Sequence, residues 1–599
     1  MWSKTVINPI PKSSTLDPRD PLSYRGISLA SAVYKVYCRI INKRLNDFVE
    51  RNNILVEEQN GFRKNRSTID QVSSLVDIIE TRKKCKLSTY TAFIDFRKAY
   101  DTINRGKMWD RLKAINISGK LLTAIKALYD CVSSCVKVNN HKTEWFQVKC
   151  GLRQGCILSP LLFNIYINDL ALYLKSMDIG IDIGEEKICI LMYADDIVLL
   201  TDNEKDLQTL LNALNDWCKN NDMSINVTKS NVVHFRTEKT TRSNCVFKCG
   251  EHIIEYSDKY KYLGLVLNEH LNLNVTAKMV AQSASRALGL VIAKCKVAGG
   301  VPYKVFTKLY DSIVWPVIAY GAAIWGHKEF SCISAVHNRA MRFFLGVGKY
   351  TPTVAVAGEM GWIPTNVRQW KIVVNFWARI SCTNSSRLNK RVALWAFAKS
   401  DQCKNWYFWV KKLLKKLTLH QFCDISIPIS KLHIIGNVQE KLMANFINEW
   451  TVKLNSTAGT SGRGRNKLRT YCKFKSEFQT ETYCTMILPP NHRAAFSKFR
   501  CGVAPIRLET GRFEGLPVER RLCPFCDVVE NESHVLLKCK LYTDIRNTLF
   551  AKAATIIPNF ISLNEEEKIE TIFCEKALIR ISAKTCFEIL QRRQFFMCR

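Results

Sequence analysis

The stretch Ile190-Leu-Met-Tyr-Ala-Asp-Asp-Ile-Val-Leu-Leu200 places two adjacent carboxylates, Asp195 and Asp196, in an otherwise almost wholly apolar run. Such a run is typical of a buried strand. Burying two like charges is costly unless a cation offsets them, and hard divalent cations prefer oxygen ligands. Because neighbouring side chains of a strand point to opposite faces, aiming both acids at one ion requires a tight turn at 194–196, between strands over 187–193 and 197–201. The alternative is a solvated hairpin turn, where Asp is common.

A second apolar strand, which begins at residue 91, contributes a third carboxylate, Asp95. Two strands that present Asp95 and Asp195 would hold a pair of Mg²⁺ ions about 3.5–4 Å apart, an arrangement that serves phosphoryl or nucleotidyl transfer. Gly151 and Gly155 lie between them in the sequence, and glycine permits close approach of the backbone to a ligand. The carboxylate from this second strand therefore favours a metal site over a solvated turn.

These segments resemble, in order, the motifs of reverse transcriptases from non-LTR, LINE-like retrotransposons. The matching stretches are 9–12, 17–29, 59–68, 93–101, 151–169, 193–196, 225–230 and 260–264. A single short motif is weak evidence, whereas an ordered set over 270 residues is specific. The resemblance implies an α+β right-hand polymerase, with fingers and an antiparallel palm sheet followed by a mostly helical thumb and C-terminal region.

The resemblance also implies catalytic roles. Asp95 and Asp195 would be the principal ligands of two Mg²⁺ ions, and Asp196 would be a third, secondary acid. Lys229 matches the lysine proposed to protonate pyrophosphate in the family. The alternative for Lys229 is an ordinary surface cation.

Further residues would bind the nucleotide and the primer. The nucleotide-binding set is Lys12, Arg25, Phe96, Tyr100, Gln154 and Gly155. Within it, the carbonyl of Phe96 would face a metal and the ring of Tyr100 would reject a ribose 2′-OH. The primer grip would be Leu263 and Gly264. The alternatives are surface cations at Lys12 and Arg25, a core aromatic at Tyr100 and a plain hairpin turn at 263–264.

The charge of the chain points to a polyanionic partner. The 599 residues carry a formal net charge of +35. Residues 271–500 hold 34 Lys and Arg against 9 Asp and Glu, whereas residues 1–270 hold 39 against 31 and residues 501–599 hold 15 against 13. A polymerase needs such a basic surface to hold a template–primer duplex through its phosphates. The alternative is a solvated basic surface, and the skew does not distinguish RNA from DNA.

A second metal site is predicted near the C-terminus. Cys523, Cys526, His534 and Cys539 form the pattern C-x2-C-x7-H-x4-C. Four such ligands suit tetrahedral zinc, and a complete set of four leaves no open position, so the predicted Zn²⁺ is structural. The segment resembles the C-terminal zinc knuckle of some LINE-like elements. With 24 cysteines in the chain, a chance C-x2-C pair remains the alternative.

The sequence predicts five regions. They are fingers and palm over 1–270, a helical thumb over 271–375, a basic helical connecting region over 376–454, a flexible basic linker over 455–469, and a C-terminal domain with the zinc-knuckle-like motif over 470–599. No apolar span reaches membrane length, and no signal peptide is present. We therefore expect a chain that is not secreted and that works in the nucleus, the cytoplasm or both, without a membrane partner.

The predicted function is RNA-directed DNA polymerase, which extends a primer 3′-OH with dNTPs on an RNA template and produces an RNA–DNA duplex. Ten residues separate Met1 from Lys12, too few for the endonuclease domain that family members usually carry, so we expect an N-terminally truncated element protein. One alternative is a catalytically impaired or domesticated fragment that binds nucleic acid. Another is a polymerase of the same palm class that prefers a DNA template.

Overall fold

The structure, a computed structural model, describes residues 4–13, 17–456 and 467–597. It divides the chain into two compact units. Unit 1 comprises Met1–Val275, Arg379–Leu413 and Cys423–Ile429, and unit 2 comprises Thr276–Ala378, Leu414–Phe422 and Ser430–Arg599. The division into five predicted regions stays a prediction.

The N-terminal part of unit 1 mixes strands and helices, which confirms the α+β class. The strands are β1 Lys4–Pro11, β2 Tyr24–Leu29, β3 Thr89–Ile94, β4 Ser133–Val138, β5 His141–Lys142, β6 Phe146–Gln147, β7 Ile181–Ile183, β8 Glu186–Ile188, β9 Ile190–Tyr193, β10 Asp196–Thr201, β11 Asn231–Phe235, β12 Lys248–Cys249, β13 His252–Ile253, β14 Lys259–Tyr262 and β15 Leu265–Asn268. The helices are α1 Ala32–Arg51, α2 Thr68–Lys84, α3 Arg105–Ala114, α4 Gly119–Ala127, α5 Ser159–Lys175 and α6 Glu204–Asn220.

The central sheet of unit 1 has the strand order β11-β3-β10-β9, and every neighbouring pair is antiparallel. Ile94 of β3 pairs with Ile197 of β10, which fixes the register of the two middle strands. Their residues are buried almost without exception. Burial on both faces explains why the sequence shows a continuous apolar run instead of alternation.

A second sheet has the order β2-β1-β4-β5, with β6 on β4. β1 pairs antiparallel with β2 and parallel with β4. Ile10 of β1 lies opposite Arg25 of β2, so this sheet carries one of the basic residues predicted to bind the triphosphate.

Beyond β15, the described part of the chain is mostly helical. Its helices are α7 Leu273–Val297, α8 Tyr303–Leu309, α9 Trp315–Ala319, α10 Ala322–Trp325, α11 Ser331–Leu345, α12 Thr353–Met360, α13 Thr365–Ser381, α14 Leu388–Ala398, α15 Ser400–Cys403, α16 Trp406–Lys416, α17 Lys431–Ser456, α18 Tyr471–Phe474, α19 Thr482–Thr485, α20 Pro490–Arg500, α21 Arg507–Phe513, α22 Thr543–Ile556, α23 Glu565–Cys574 and α24 Ile579–Met597. Among the described residues, no helix combines the length and apolar character needed to cross a bilayer. Of the predicted linker, residues 457–466 lie outside the described residues.

Helix α2 is buried along most of its length because residues 379–413 pack against it within unit 1. The N-terminus of α2 has a capping box between Ser67 and Asp70, and the buried Asp70 also forms an ion pair with Arg379. Near the other end of the helix, Trp406 donates its backbone N–H to Glu80. This late segment of the chain is therefore an integral part of the unit that contains the two sheets.

Candidate active site

The acidic hairpin is the centre of the candidate site. β9 and β10 are joined by the two-residue turn Ala194-Asp195, and Tyr193 pairs with Asp196 across it. Ala194 adopts the left-handed conformation, with φ +58°. The predicted hairpin is confirmed, with two differences: its first strand begins at Ile190, and Asp196 is the first residue of β10 and does not belong to the turn.

Asp95 lies beside this hairpin because it directly follows β3, the neighbour of β10. The three acids influence one another electrostatically. Burial, and then the charges of Asp195 and Asp95, raise the pKa of Asp196 to about 6. Burial also raises the pKa of Asp195, and the charge of Asp95 acts in the same direction. Mutual repulsion of this kind is relieved by a bound divalent cation, so the oxygen donors fit a divalent metal ion.

The segment 225–230 holds Asp95 in place. Asn226 donates its side-chain amide to Asp95 Oδ2 at 2.9 Å, and the backbone N–H of Asp95 donates to Ser230 Oγ at 3.1 Å. Lys229 Nζ lies 3.8 Å from Asp95 Oδ2 on a side chain that is 70% exposed. Phe96 forms an isolated antiparallel bridge with Ile225. The structure thus brings Lys229 to the acids, and it adds Asn226, which sequence reasoning did not single out.

Gln59 is a second residue that sequence reasoning missed. Its fully buried side-chain oxygen accepts hydrogen bonds from the backbone N–H of Ala194, at 2.9 Å, and of Gly61, at 2.7 Å. Its amide nitrogen donates to the carbonyl of Ala194 at 3.3 Å. The signal was present, since 59–68 is one of the motifs, but the sequence gives no indication that it contacts the acidic turn.

Tyr100 lies close to the acids, and its ring packs against other aromatic side chains. Its ring stacks on Phe163, with centroids 4.7 Å apart, and meets the edge of Phe62 at 6.4 Å. Burial, and then the negative charge of Asp195, raise the pKa of the Tyr100 hydroxyl. Within the described part of the chain, this buried hydroxyl has no hydrogen-bond partner. The ring is therefore held by packing.

The glycine-containing segment packs tightly against its neighbours. Gly151 and Gly155 both have φ +77°. A Cβ on Gly155 would lie 2.4 Å from the carbonyl oxygen of Ser28, so this segment touches β2 of the second sheet. Gln154 is exposed and donates its side-chain amide to Asp101 Oδ1 at 2.8 Å. The predicted nucleotide-binding residues of this segment thus lie next to the strand that carries Arg25.

Lys12 and Arg25 occupy exposed positions on the β1–β2 pair. Lys12 directly follows β1 and donates its backbone N–H to Ser23 at 2.8 Å. The second sheet, and not the acid-bearing sheet, therefore positions both predicted triphosphate contacts.

The predicted primer grip is the turn of a hairpin. Leu263 and Gly264, with φ of +44° and +89°, connect β14 and β15. On β14, Tyr260 stacks on Phe93 of β3 with centroids 4.2 Å apart. Burial, and then the charges of Asp196 and Asp95, raise the pKa of Tyr260 to about 12. This contact brings the hairpin to the end of the central sheet where the acids lie.

The four predicted zinc ligands come together in unit 2. The ligand atoms of Cys523, Cys526, His534 and Cys539 all lie within 4.8 Å of one another. Cys539 Sγ lies 3.8 Å from both Cys523 Sγ and Cys526 Sγ. Tetrahedral zinc with Zn–S bonds of about 2.3 Å separates its sulfur ligands by about 3.8 Å. His534 Nε2 is buried with no hydrogen-bond partner among the described residues, so the donor set fits a zinc ion.

Comparison with known proteins agrees with this geometry. Residues 10–267 match the family described as reverse transcriptase (RNA-dependent DNA polymerase). These residues are a reverse transcriptase domain. The resemblance to enzymes of non-LTR retrotransposons is confirmed by curated relatives, which are named as RNA-directed DNA polymerases or Pol polyproteins of such elements.

Three relatives illustrate the extent of the similarity. A probable RNA-directed DNA polymerase from transposon BS of Drosophila melanogaster is 27% identical over 57% of this chain and 38% of the relative. The Pol polyprotein of the R2 element of Popillia japonica is 28% identical over 53% and 44%, respectively. The polymerase of the jockey element of Drosophila melanogaster is 25% identical over 59% of this chain and 38% of the relative. The chain thus spans about two fifths of the length of these relatives. Among solved structures, apo telomerase from Candida tropicalis is similar at 12% identity, with a TM-score of 0.35 over 73% of this chain and 69% of that one.

The reverse transcriptase domain contains the acidic hairpin, Asp95, Gln59, Tyr100 and the segment 225–230, whereas the zinc-ligand cluster lies outside it. The domain match ends at residue 267, before the strongly basic region begins.

Proposed function

We propose that this chain is an RNA-directed DNA polymerase that extends a primer 3′-OH with dNTPs. The observation that supports this most directly is the meeting of Asp95, Asp195 and Asp196 at the ends of adjacent antiparallel strands, inside the reverse transcriptase domain. When held by these carboxylates, two Mg²⁺ ions would activate the attacking hydroxyl and stabilise the leaving oxygen.

The chain's own residues would orient the reactants. Asn226 holds Asp95 through Oδ2. The ammonium group of Lys229, which lies 3.8 Å from the same oxygen, would give a proton to the departing pyrophosphate. Tyr100 would support the deoxyribose, while Gln154 and Gly155 would line the nucleotide pocket. Lys12 and Arg25 would offset the charge of the triphosphate.

The proposed architecture is a right-hand polymerase. Fingers and palm would occupy residues 1–270, with the acids on the palm sheet and Leu263-Gly264 as the primer grip. The basic excess over 271–500, 34 cations against 9 acids, would hold the RNA template and the RNA–DNA duplex through phosphate contacts. We further propose a structural Zn²⁺ on the four ligands of the C-terminal region and a location in the nucleus or cytoplasm.

Primer extension tests the proposal. Wild-type protein with Mg²⁺, dTTP and a poly(rA)/oligo(dT) template–primer is expected to incorporate dTMP, and Asp195→Asn is expected to abolish incorporation because it removes a charged metal ligand. Asp216→Ala is the matched control, since Asp216 is an exposed acid of the same unit outside the site. No incorporation by the wild type would contradict the enzyme; activity surviving in Asp195→Asn would contradict the site.

A non-catalytic nucleic-acid-binding protein is the second candidate, and the concentrated basic charge over 271–500 favours it. It predicts salt-sensitive binding of a template–primer duplex without incorporation. Substituting poly(dA) for poly(rA) in the same assay distinguishes a polymerase that prefers a DNA template.

A further inference from the structure

We infer that Gln59 is a positioning residue that holds the Asp195-bearing turn in its catalytic geometry. This inference rests on the proposed polymerase function. Ala194, the residue before Asp195, has φ +58°, a conformation that is sterically unfavourable for an L-residue with a Cβ. The backbone keeps such a conformation only where its surroundings impose it.

The surroundings in this case are the hairpin pairing of Tyr193 with Asp196, which requires a positive φ in the turn, and the side-chain amide of Gln59. Ala194 is 4% exposed, so its backbone N–H and carbonyl need protein partners. Gln59 supplies both: its oxygen accepts from the Ala194 N–H, and its nitrogen donates to the Ala194 carbonyl. A single amide therefore binds the turn residue on both sides, one residue before the predicted metal ligand.

The loop that carries Gln59 is itself fixed to the acid-bearing hairpin. Gln59 forms a parallel bridge with Met192 of β9, in which Met192 donates to the Glu58 carbonyl at 3.0 Å and Asn60 donates to the Met192 carbonyl at 2.9 Å. Gly61 completes the contact, because a Cβ there would lie 2.2 Å from the backbone nitrogen of Ala194. The backbone at Gly61 thus lies so close to the turn that only glycine fits at this position.

Helix α5 supports the loop from the other side. The side-chain amide of Asn164 donates to the Gly61 carbonyl at 2.7 Å. Asn168, one turn later, accepts from the Val56 N–H at 2.8 Å and donates to the Ile54 carbonyl at 3.0 Å. Asn168 therefore offers a matched comparison: a side-chain amide that bonds two backbone groups of the same loop without touching the acidic turn.

The test compares Gln59→Ala with Asn168→Ala in the full chain. Gln59→Ala is expected to lower kcat for dTTP incorporation by about 10- to 100-fold, since misplacing a reacting group by about 1 Å has effects of that order. The KM for dTTP and the Kd for template–primer should change by less than threefold. Asn168→Ala should lower the melting temperature and keep kcat within about threefold of the wild type.

Adding Ala194→Gly supplies the decisive variant, because glycine adopts φ +58° without steric cost. The kcat of Gln59→Ala/Ala194→Gly should be at least fivefold higher than that of Gln59→Ala. In the Asn168→Ala background, Ala194→Gly should not raise kcat. An unchanged kcat in Gln59→Ala, or equal recovery in both backgrounds, would overturn the inference.

Hydrogen–deuterium exchange separates this inference from the proposed function. The peptide over 190–200 should exchange faster in Gln59→Ala than in the wild type, and no faster in Asn168→Ala. If the wild-type chain incorporates no nucleotide, the polymerase proposal fails, while the exchange of this peptide still decides whether Gln59 holds the turn. Equal exchange in the wild type and Gln59→Ala would overturn the inference that Gln59 holds the turn.

Discussion

The hydroxyl of Tyr407 donates a 2.7 Å hydrogen bond to Asp77 Oδ2, and both residues are buried in unit 1 although 330 positions separate them in the sequence. Asp77 lies on α2 and Tyr407 on α16. The contact joins a helix of the reverse transcriptase domain to a segment well beyond the end of the family match at residue 267.

Tyr407→Phe tests the importance of this contact for stability. The substitution keeps the ring and removes the hydroxyl, so the buried carboxyl of Asp77 loses a hydrogen-bond donor. We expect the free energy of unfolding to fall by about 1–3 kcal/mol. Urea denaturation followed by tryptophan fluorescence measures it. Tyr173→Phe, at a ring that is 43% exposed in the same unit, should change stability by less than about 0.5 kcal/mol; equal losses would show that the hydroxyl of Tyr407 contributes nothing specific.

Tyr100→Ala should weaken the selection of deoxynucleotides over ribonucleotides. Removing the ring opens space where the resemblance places the ribose 2′-OH, and we expect the ratio of kcat/KM for dTTP to that for UTP to fall at least tenfold. Tyr100→Phe is the matched control: it keeps the ring, and the hydroxyl it removes has no hydrogen-bond partner in the described residues. The selection of dTTP over UTP should be retained in Tyr100→Phe and lost in Tyr100→Ala. If both variants lose it, the ring is not the selective element.

Removal of a zinc ligand should release the metal. We expect one Zn²⁺ per purified wild-type chain and much less than one in Cys526→Ser, since three remaining ligands no longer complete a tetrahedral site. Plasma emission spectrometry after dialysis measures the content. Cys574→Ser, at an exposed cysteine in the same unit, should retain the full complement. Equal zinc in the wild type and Cys526→Ser would rule out this ligand set.

Acid should destabilise unit 2 through His337. Burial lowers the pKa of His337 to about 3, whereas an unfolded histidine titrates near 6.5. Between these values the unfolded chain binds a proton that the folded chain does not, so stability falls as pH decreases, by up to about 1.4 kcal/mol per pH unit. The urea midpoint should therefore drop between pH 7.5 and 5.

His337→Gln isolates this contribution. Gln can replace the ring nitrogen, Nδ1, that lies 2.8 Å from the Tyr310 hydroxyl, but it does not titrate. Its urea midpoint should depend less steeply on pH than that of the wild type. Parallel pH profiles for the two proteins would contradict the assignment.

The sequence predicted the structure best where the residues of a site lie close together along the chain. The paired acids in an apolar run predict the hairpin, and the spacing of Cys523, Cys526, His534 and Cys539 predicts their cluster, because a turn or a knuckle is local. Ordered motifs then located Asp95 beside the hairpin. The first two features are local, whereas the position of Asp95 rests on the resemblance of the ordered motifs to a known family.

Contacts between distant segments were not predictable in the same way. Nothing about Gln59 indicates that its amide bonds the backbone of Ala194, 135 positions later, since any buried glutamine satisfies its own polar atoms somewhere. Tyr407 and Asp77 likewise carry no local pattern that pairs them. Residues 379–413, which pack within unit 1, likewise carry no local pattern that indicates their contact with α2.

The return of residues 379–413 to unit 1 has a consequence for biosynthesis. The chain leaves unit 1 after Val275 and does not complete it until Ile429, so the ribosome must add about 150 residues between the two points. At about 5–20 residues per second, this takes roughly 8–30 s. During that interval, the face of α2 that residues 379–413 cover in the folded protein lacks that segment, so we expect this face to be accessible to chaperones or to a neighbouring nascent chain. Maturation of the catalytic unit is thus set by translation of the downstream message as well as by the domain's own sequence.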